Sequence, residues 1–235
     1  MPVPVVIALG GNLGDVRAAG HAALSQLGQV PGIIVEQISQ WYSTEPVGCE
    51  GRFLNAAARL TSELTPTQLL LQMHEIEAQH GRVRTGHWLP RPLDLDLILF
   101  GEWRIEHPLL KVPHPAAWCR RFVLDPGCEV AGTMTHPSFG LTIGQLRSRL
   151  LPRPLAIAWS EGLPRNKALA EAIQARFGSI VRWTSTGESS VVRFVPPSPD
   201  RVTPFEVAVP NDSTKAQRTV IDTLTAMLDE PSVAG

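Results

Sequence analysis

The stretch RPLDLDLILFG, residues 91–101, alternates like a strand but has a fault in it. Leu93, Leu95, Leu97 and Leu99 recur at a spacing of two and predict one face that buries against a core. Asp94 and Asp96 fall on the other face, followed by Ile98 and Phe100. Aspartate is a poor strand former, and like charges on one face repel. A chain with only 18% charged residues therefore needs a reason to place two there. Carboxylates at i and i+2 project from the same face, their α-carbons about 6.6 Å apart by strand rise. Such a pair can converge on Mg2+, which usually takes one or two carboxylates, with phosphate oxygens and water completing its shell. An edge strand with a solvated polar face would carry the same letters, so the pair alone leaves both readings open.

The flanking segments narrow the choice. The loop RVRTGHWLPRP (82–92) holds Arg82, Arg84 and Arg91, and guanidinium forks match phosphate oxygens bidentately. A cationic loop beside a dicarboxylate strand is what transfer from a polyphosphate needs, since the protein's task there is positioning and charge stabilisation. Before the loop, TPTQLLLQMHEIEAQHG (65–81) predicts a helix. Thr65 is its N-cap, Pro66 its first residue, Gln68 the capping-box partner, and Leu69, Met73 and Ile76 its apolar stripe. VVIAL (5–9) predicts a buried strand, and GGNLGD leads into a helix over about 15–27 without matching either glycine-rich nucleotide motif. That turn can be a plain strand-to-helix connection or a ligand-facing one. A second strand is expected near 33–42, a loop over 43–53, and a strand again in FLNAAARLTSEL.

Composition excludes several classes. The chain has 235 residues, is 43% apolar and carries a formal net charge of −1, so no overall field draws it to nucleic acid or an anionic membrane. Cys49, Cys119 and Cys128 are odd in number and form no C-x-x-C pair, which suits free thiols in a reducing compartment. The opening MPVPVVIALGG has neither the length nor the basic flank of a signal or anchor, so a soluble, cytoplasmic protein is expected. His74 and His80, and His107 and His114, miss the i, i+4 ligand spacing, and no G-x-S-x-G elbow is present.

The order of motifs adds a resemblance. ALGGNLGD, STEPVG, FLNAA, IEAQHGRVR, RPLDLDLILFG, VPHP and RRFVL follow one another as in the 6-hydroxymethyl-7,8-dihydropterin pyrophosphokinase family, across residues 1 to about 150. The resemblance implies an α+β fold with a ferredoxin-like α/β sandwich core. It implies transfer of pyrophosphate from ATP to the pterin's hydroxymethyl oxygen, with release of AMP, in folate biosynthesis. By the same resemblance Asp94 and Asp96 hold two Mg2+ ions bound with ATP, and Arg82, Arg91 and the two aspartates are the catalytic group. Thr44, Pro46, Val47, Phe53, Asn55 and Phe122 match the pterin pocket. His74, Glu77, Arg84, Trp88, Ile98, His114 and Arg120 match nucleotide-contacting positions. An amide that can both donate and accept suits the heterocycle's polar edge, and two aromatic faces suit its plane. The chain departs from the family at Phe53, where a tyrosine is common, and at His74, where a glutamine is. It departs again at Glu45, which replaces a proline, and at Thr85 and Pro115.

The resemblance ends near residue 150, giving an expected division into 1–152 and a C-terminal α/β extension, 153–235. In the extension LAIAW (155–159) predicts a strand and 163–177 a helix. Short strands are expected near 179–184, 190–195 and 204–209, and a last helix over 213–229 carries an apolar stripe of Val220, Ile221, Leu224, Met227 and Leu228. Docking, self-association and structural support are the roles open to it, and its removal near Pro154 is expected to spare the chemistry. Two rival classes remain at this level. One is a nucleotidyltransferase, which would release pyrophosphate but whose Gly-Ser helix start is missing before the aspartates; the other is an inactive nucleotide-binding module.

Overall fold

A computed structural model of the protein describes residues 1–46, 51–82, 91–160, 163, 167–184, 189–197 and 204–234. The chain divides into two units, one running from Met1 to Arg147 and resuming at Asp229, the other spanning Ser148–Leu228. The region expected as an appended extension from residue 153 is therefore an insertion, because the last residues return to the first unit.

The first unit begins with β1 (Val3–Gly11), α1 (Val16–Gln29), β2 (Ile33–Ile38), β3 (Tyr42–Thr44), β4 (Phe53–Ser62), α2 (Pro66–Gln79) and β5 (Asp94–Phe100). It continues through the hairpin β6 (Ile105–His107) and β7 (Leu110–Val112), then α3 (Arg121–Ala131), the short β8 (Thr135–His136) and β9 (Leu141–Thr142), and α4 (Ile143–Arg149). Residues 43 and 44, expected in a loop, are strand because β3 pairs with the start of β4. The capping box of α2 forms as the letters predict, Thr65 and Gln68 each accepting from the other's backbone N–H. Asp15 caps α1 more simply, its carboxylate accepting from Ala18 N–H.

β4 and β5 flank β1 in an antiparallel sheet, while β2 and β3 pair with successive halves of β4 on its far side. One face carries Val5, Ile7, Leu9, Ala56, Ala58, Leu60, Leu95 and Leu97 against Leu24 and Leu27 of α1 and Leu69, Met73 and Ile76 of α2. The expected row of four leucines on β5 breaks here. Between its pairs with Val6 and Ile7 the register slips past Ile98, so Leu97 opposes Ile7 while Leu99 opposes Val6. A bulge puts one extra residue in one strand and reverses the alternation beyond it. Leu99 thus turns to the opposite face and Phe100 joins the helix-side core in its place.

On that opposite face Val6, Ala57, Ile98 and Leu99 meet Trp118, Val123, Leu124 and Gly127 around α3. His136 is buried among them with both ring nitrogens lacking a hydrogen-bond partner, its ring stacked on Phe139 at 4.3 Å between centroids. Burial, with a smaller push from Arg104, lowers its pKa to about 4. The unfolded chain accepts a proton near pH 6.5 that the folded one refuses. Stability present above that pH should therefore fall by up to about 3 kcal/mol as pH drops toward 4. His136→Leu is expected to flatten the decline of the urea midpoint between pH 6.5 and 4.5, with His114 retaining part of the slope. An unchanged slope would mean that His136 finds a proton acceptor in solution.

In the second unit β10 (Leu155–Trp159), α5 (Lys167–Phe177), β11 (Val181–Trp183), β12 (Val192–Val195), β13 (Glu206–Ala208) and α6 (Ser213–Leu228) follow the predicted order. The strands are parallel in the order β11-β10-β12-β13. On α6, Val220, Leu224, Met227 and Leu228 are buried, and Ile221 is half-buried. After α6 the chain forms β14 (Ser232–Val233), which pairs with β3 of the first unit. No described helix is long and apolar enough to cross a membrane.

Candidate active site

Strand register lines up the polar residues of the first unit. Gly10 of β1 faces Asn55 of β4 on one side and Asp94 of β5 on the other, and Tyr42 of β3 lies beyond Asn55. One row along, Ala8 faces Ala57 and Asp96. Alternation puts Thr44, Phe53, Asn55, Asp94 and Asp96 on the face that carries Val6 and Ala57, the face packed by α3. Asn55 and Asp94 are two strands apart, about 10 Å at the usual spacing, with a glycine between them.

Gly10 has a steric reason for being glycine. A β-carbon there would sit 2.9 Å from Asn55 Oδ1, closer than such contacts allow. Asn55 is buried and donates from Nδ2 to the Thr44 hydroxyl at 2.8 Å. Its other end is thus aimed from a fixed position. At Gly11 a β-carbon would meet the carbonyl oxygen of Pro92 at 2.6 Å, so glycine lets the segment before β5 lie directly on β1. Asn12 then exchanges two hydrogen bonds with Arg91, its N–H donating to the Arg91 carbonyl at 3.0 Å and its Oδ1 accepting from Arg91 N–H at 2.9 Å. The GGN turn is therefore a clamp on the backbone of Arg91. Sequence reading left its role open, because its partner lies far along the chain.

Asp94 sits between two guanidiniums. Arg82 bonds one carboxylate oxygen, and Arg91 Nη1 lies 2.9 Å from the other. Burial, with Asp96 next in effect, pushes the Asp94 carboxyl up from its ordinary value against the pull of Arg91 and Arg82. Arg82 also pairs with Glu77, whose side chain is buried and whose Oε1 accepts the Leu95 N–H at 2.7 Å. Glu77, expected at the nucleotide, is thus turned inward, holding Arg82 to the start of β5. Ile98 likewise points into the packing under α3, and its carbonyl accepts the His114 N–H at 3.0 Å. Burial and the nearby Arg120 charge lower the His114 ring to about 4, so it is a neutral imidazole whose Nδ1 accepts from Ala116 N–H.

The remaining expected residues fall as follows. Phe122 lies in the first turn of α3, with the Arg120 guanidinium 5.6 Å from its ring centroid. Pro46 follows β3, and His74 is half-buried on α2. Val47, Arg84 and Trp88 lie outside the described residues. Glu45, which stands where the family has a proline, makes an ion pair with Arg52 at 2.5 Å, and Arg52 Nε also donates to Ser43 at 2.8 Å. Among the described residues no three His, Cys, Asp or Glu side chains gather as a metal cluster. Asp94 and Asp96 stand as a carboxylate pair with arginines around it.

Residues 6–132 match the model of the 7,8-dihydro-6-hydroxymethylpterin-pyrophosphokinase (HPPK) family. A 2-amino-4-hydroxy-6-hydroxymethyldihydropteridine pyrophosphokinase of Pseudomonas aeruginosa is 38% identical over 163 residues, which are 68% of this chain and 95% of that one. The protein of the same name from Synechocystis sp. is 40% identical over 142 residues, 60% of this chain and 73% of that one. Among solved structures, an HPPK-DHPS protein in complex with substrates superposes with a TM-score of 0.51 at 11% identity, covering 86% of this chain and 60% of that one, a likeness of fold alone. The chain belongs to the 7,8-dihydro-6-hydroxymethylpterin-pyrophosphokinase family.

Proposed function

We infer that the row from Asn55 through Gly10 to Asp94 is where this chain carries out its reaction. That reaction is transfer of pyrophosphate from ATP to the hydroxymethyl group of 6-hydroxymethyl-7,8-dihydropterin, leaving AMP, in folate synthesis. One observation carries the placement. A fixed amide, suited to a heterocycle's polar edge, shares a sheet face with a carboxylate pair flanked by arginines, and only a glycine separates them. The spacing of about 10 Å suits a bicyclic substrate at one end and phosphates at the other. Phe53 and Phe122 would supply the apolar walls, and Thr44 fixes the orientation of Asn55. The connectivity β1-α1-β2/β3-β4-α2-β5, with β1 central and helices on one face, supports a ferredoxin-like core.

Asp94 and Asp96 are the residues that would hold two Mg2+ ions arriving with ATP. The fit rests on the donor set: two hard carboxylates and no soft ligand cluster among the described residues, which leaves room for phosphate oxygens and water. Bound ions would neutralise charge on the transferring phosphates. Arg82 and Arg91, which here clasp Asp94, carry the forks that match phosphate oxygens, so the same side chains would orient the polyphosphate. The neutral His114 and the cationic Arg120 would line the nucleotide side.

The direct test is purified protein with ATP, Mg2+ and the hydroxymethyl-dihydropterin, followed for products. AMP with a pyrophosphorylated pterin is expected, whereas free pyrophosphate with an adenylylated pterin would mark a nucleotidyltransferase. Within that assay Asn55→Ala should weaken pterin binding by about 1–3 kcal/mol, the usual cost of leaving buried polar partners unpaired, and leave ATP binding unchanged. Gly10→Ala should reproduce part of that loss, because its β-carbon displaces Asn55 Oδ1. Equal losses for both substrates would show that Asn55 supports the fold and does not read the pterin.

A further inference from the structure

We propose that the segment from Asp229 to Ala234 is a positioning element of the pterin site, so that pterin affinity depends on this segment. The inference rests on the site assignment above. β3 is three residues long, and its last residue, Thr44, is the buried acceptor that orients Asn55. β4 holds it on one side. On the other side β14 pairs Ser232 with Ser43 and Val233 with Tyr42. A strand this short, paired on one side only, would leave a row of backbone groups to solvent and hold its register poorly.

The contacts bracket β3 at both ends. Before it, Ala234 N–H donates to the Trp41 carbonyl at 2.8 Å, and Arg17 on α1 donates to the Ala234 carbonyl at 2.6 Å. After it, the Asp229 carboxylate accepts the Glu45 N–H at 3.5 Å. Proline has no N–H to offer, so the glutamate at position 45 makes this last bond available. Arg121 on α3 also lies within electrostatic reach of Asp229. The segment therefore acts on Asn55 through Thr44 and on the start of the pterin loop through Glu45. It comes no closer to the aspartate pair than β3, across β4 and β1. Loosening it should lower the fraction of molecules with a formed pterin site, and apparent affinity falls in proportion to that fraction.

The experiment compares the full chain with Asp229→Ala, Ala234→Pro and a chain ending at Leu228. Calorimetry measures Mg2+ and a non-hydrolysable ATP analogue alone, then 6-hydroxymethyl-7,8-dihydropterin added to that complex; steady-state kinetics and melting temperature complete the set. Each variant is expected to raise the pterin Kd and KM by about tenfold, with the analogue Kd, kcat at saturating pterin and melting temperature unchanged. An unchanged pterin Kd in the variants overturns the proposal. So does a parallel loss of analogue and pterin affinity with a lower melting temperature, which marks a merely structural strand. If the shortened chain does not fold, the two substitutions in the full chain decide. A full chain that binds the analogue but no pterin would overturn the site assignment, and this inference with it.

Discussion

Asp96→Asn is expected to abolish measurable turnover while the protein folds and melts as before. The amide is nearly isosteric with the carboxylate but is a poor ligand for Mg2+, so the change removes the charge that would hold the cation and little else. Asp94→Asn is expected to abolish turnover as well, with a second consequence. Asp94 is the anion between Arg82 and Arg91, and its neutralisation leaves two guanidiniums facing each other across an amide. The Asp94 variant should therefore lose ATP-independent stability that the Asp96 variant keeps, offset in part because burial already disfavours the Asp94 charge. Turnover at saturating Mg2+, read with thermal melts of the two proteins, separates these effects. Near-normal activity in either variant would remove the carboxylate pair from the mechanism.

Arg91→Ala is expected to slow transfer by roughly 10³-fold, the scale found when an arginine that stabilises a transferring phosphoryl group is removed. Binding of either substrate should change far less, since contacts that strengthen in the transition state are lost from kcat and hardly from KM. The backbone should stay in place, because Asn12 clamps Arg91 through its main chain and not its side chain. Arg82→Ala provides the contrast. Arg82 is also the partner of Glu77, a carboxylate with its side chain buried beside Leu95, and stripping one partner from a buried pair costs several kcal/mol. A lowered melting temperature is therefore expected for the Arg82 variant and not for the Arg91 variant. If Arg91→Ala raised KM for ATP with kcat intact, the guanidinium would serve ground-state binding only.

Much of the candidate site was legible in the letters because its signals are local. Thr65, Pro66 and Gln68 specify the start of α2 by hydrogen bonds that close within one helical turn. Asp94 and Asp96 share a face because strand alternation is a property of two neighbouring residues, and Arg82 and Arg91 are legible as candidate partners because they lie close by in the chain. The ordered motifs likewise singled out Asn55, Thr44 and Phe122 as candidate pterin-site residues before any pairing was known. What tertiary structure alone decided depends on residues that meet from distant parts of the chain. The slip at Ile98 that sends Leu99 to the other face is set by the register of β5 against β1, which no spacing within β5 encodes. Glu77 reads, by resemblance, as a nucleotide contact until β5 supplies the Leu95 N–H and Arg82 arrives beside it. Gly10 and Gly11 read as turn residues until Asn55 and Pro92 arrive beside them. The last strand left the faintest trace of all. Two residues carry no period, and the hydrogen bonds of Ser232 and Val233 exist only because the chain, having built a separate unit, comes back to the edge of β3.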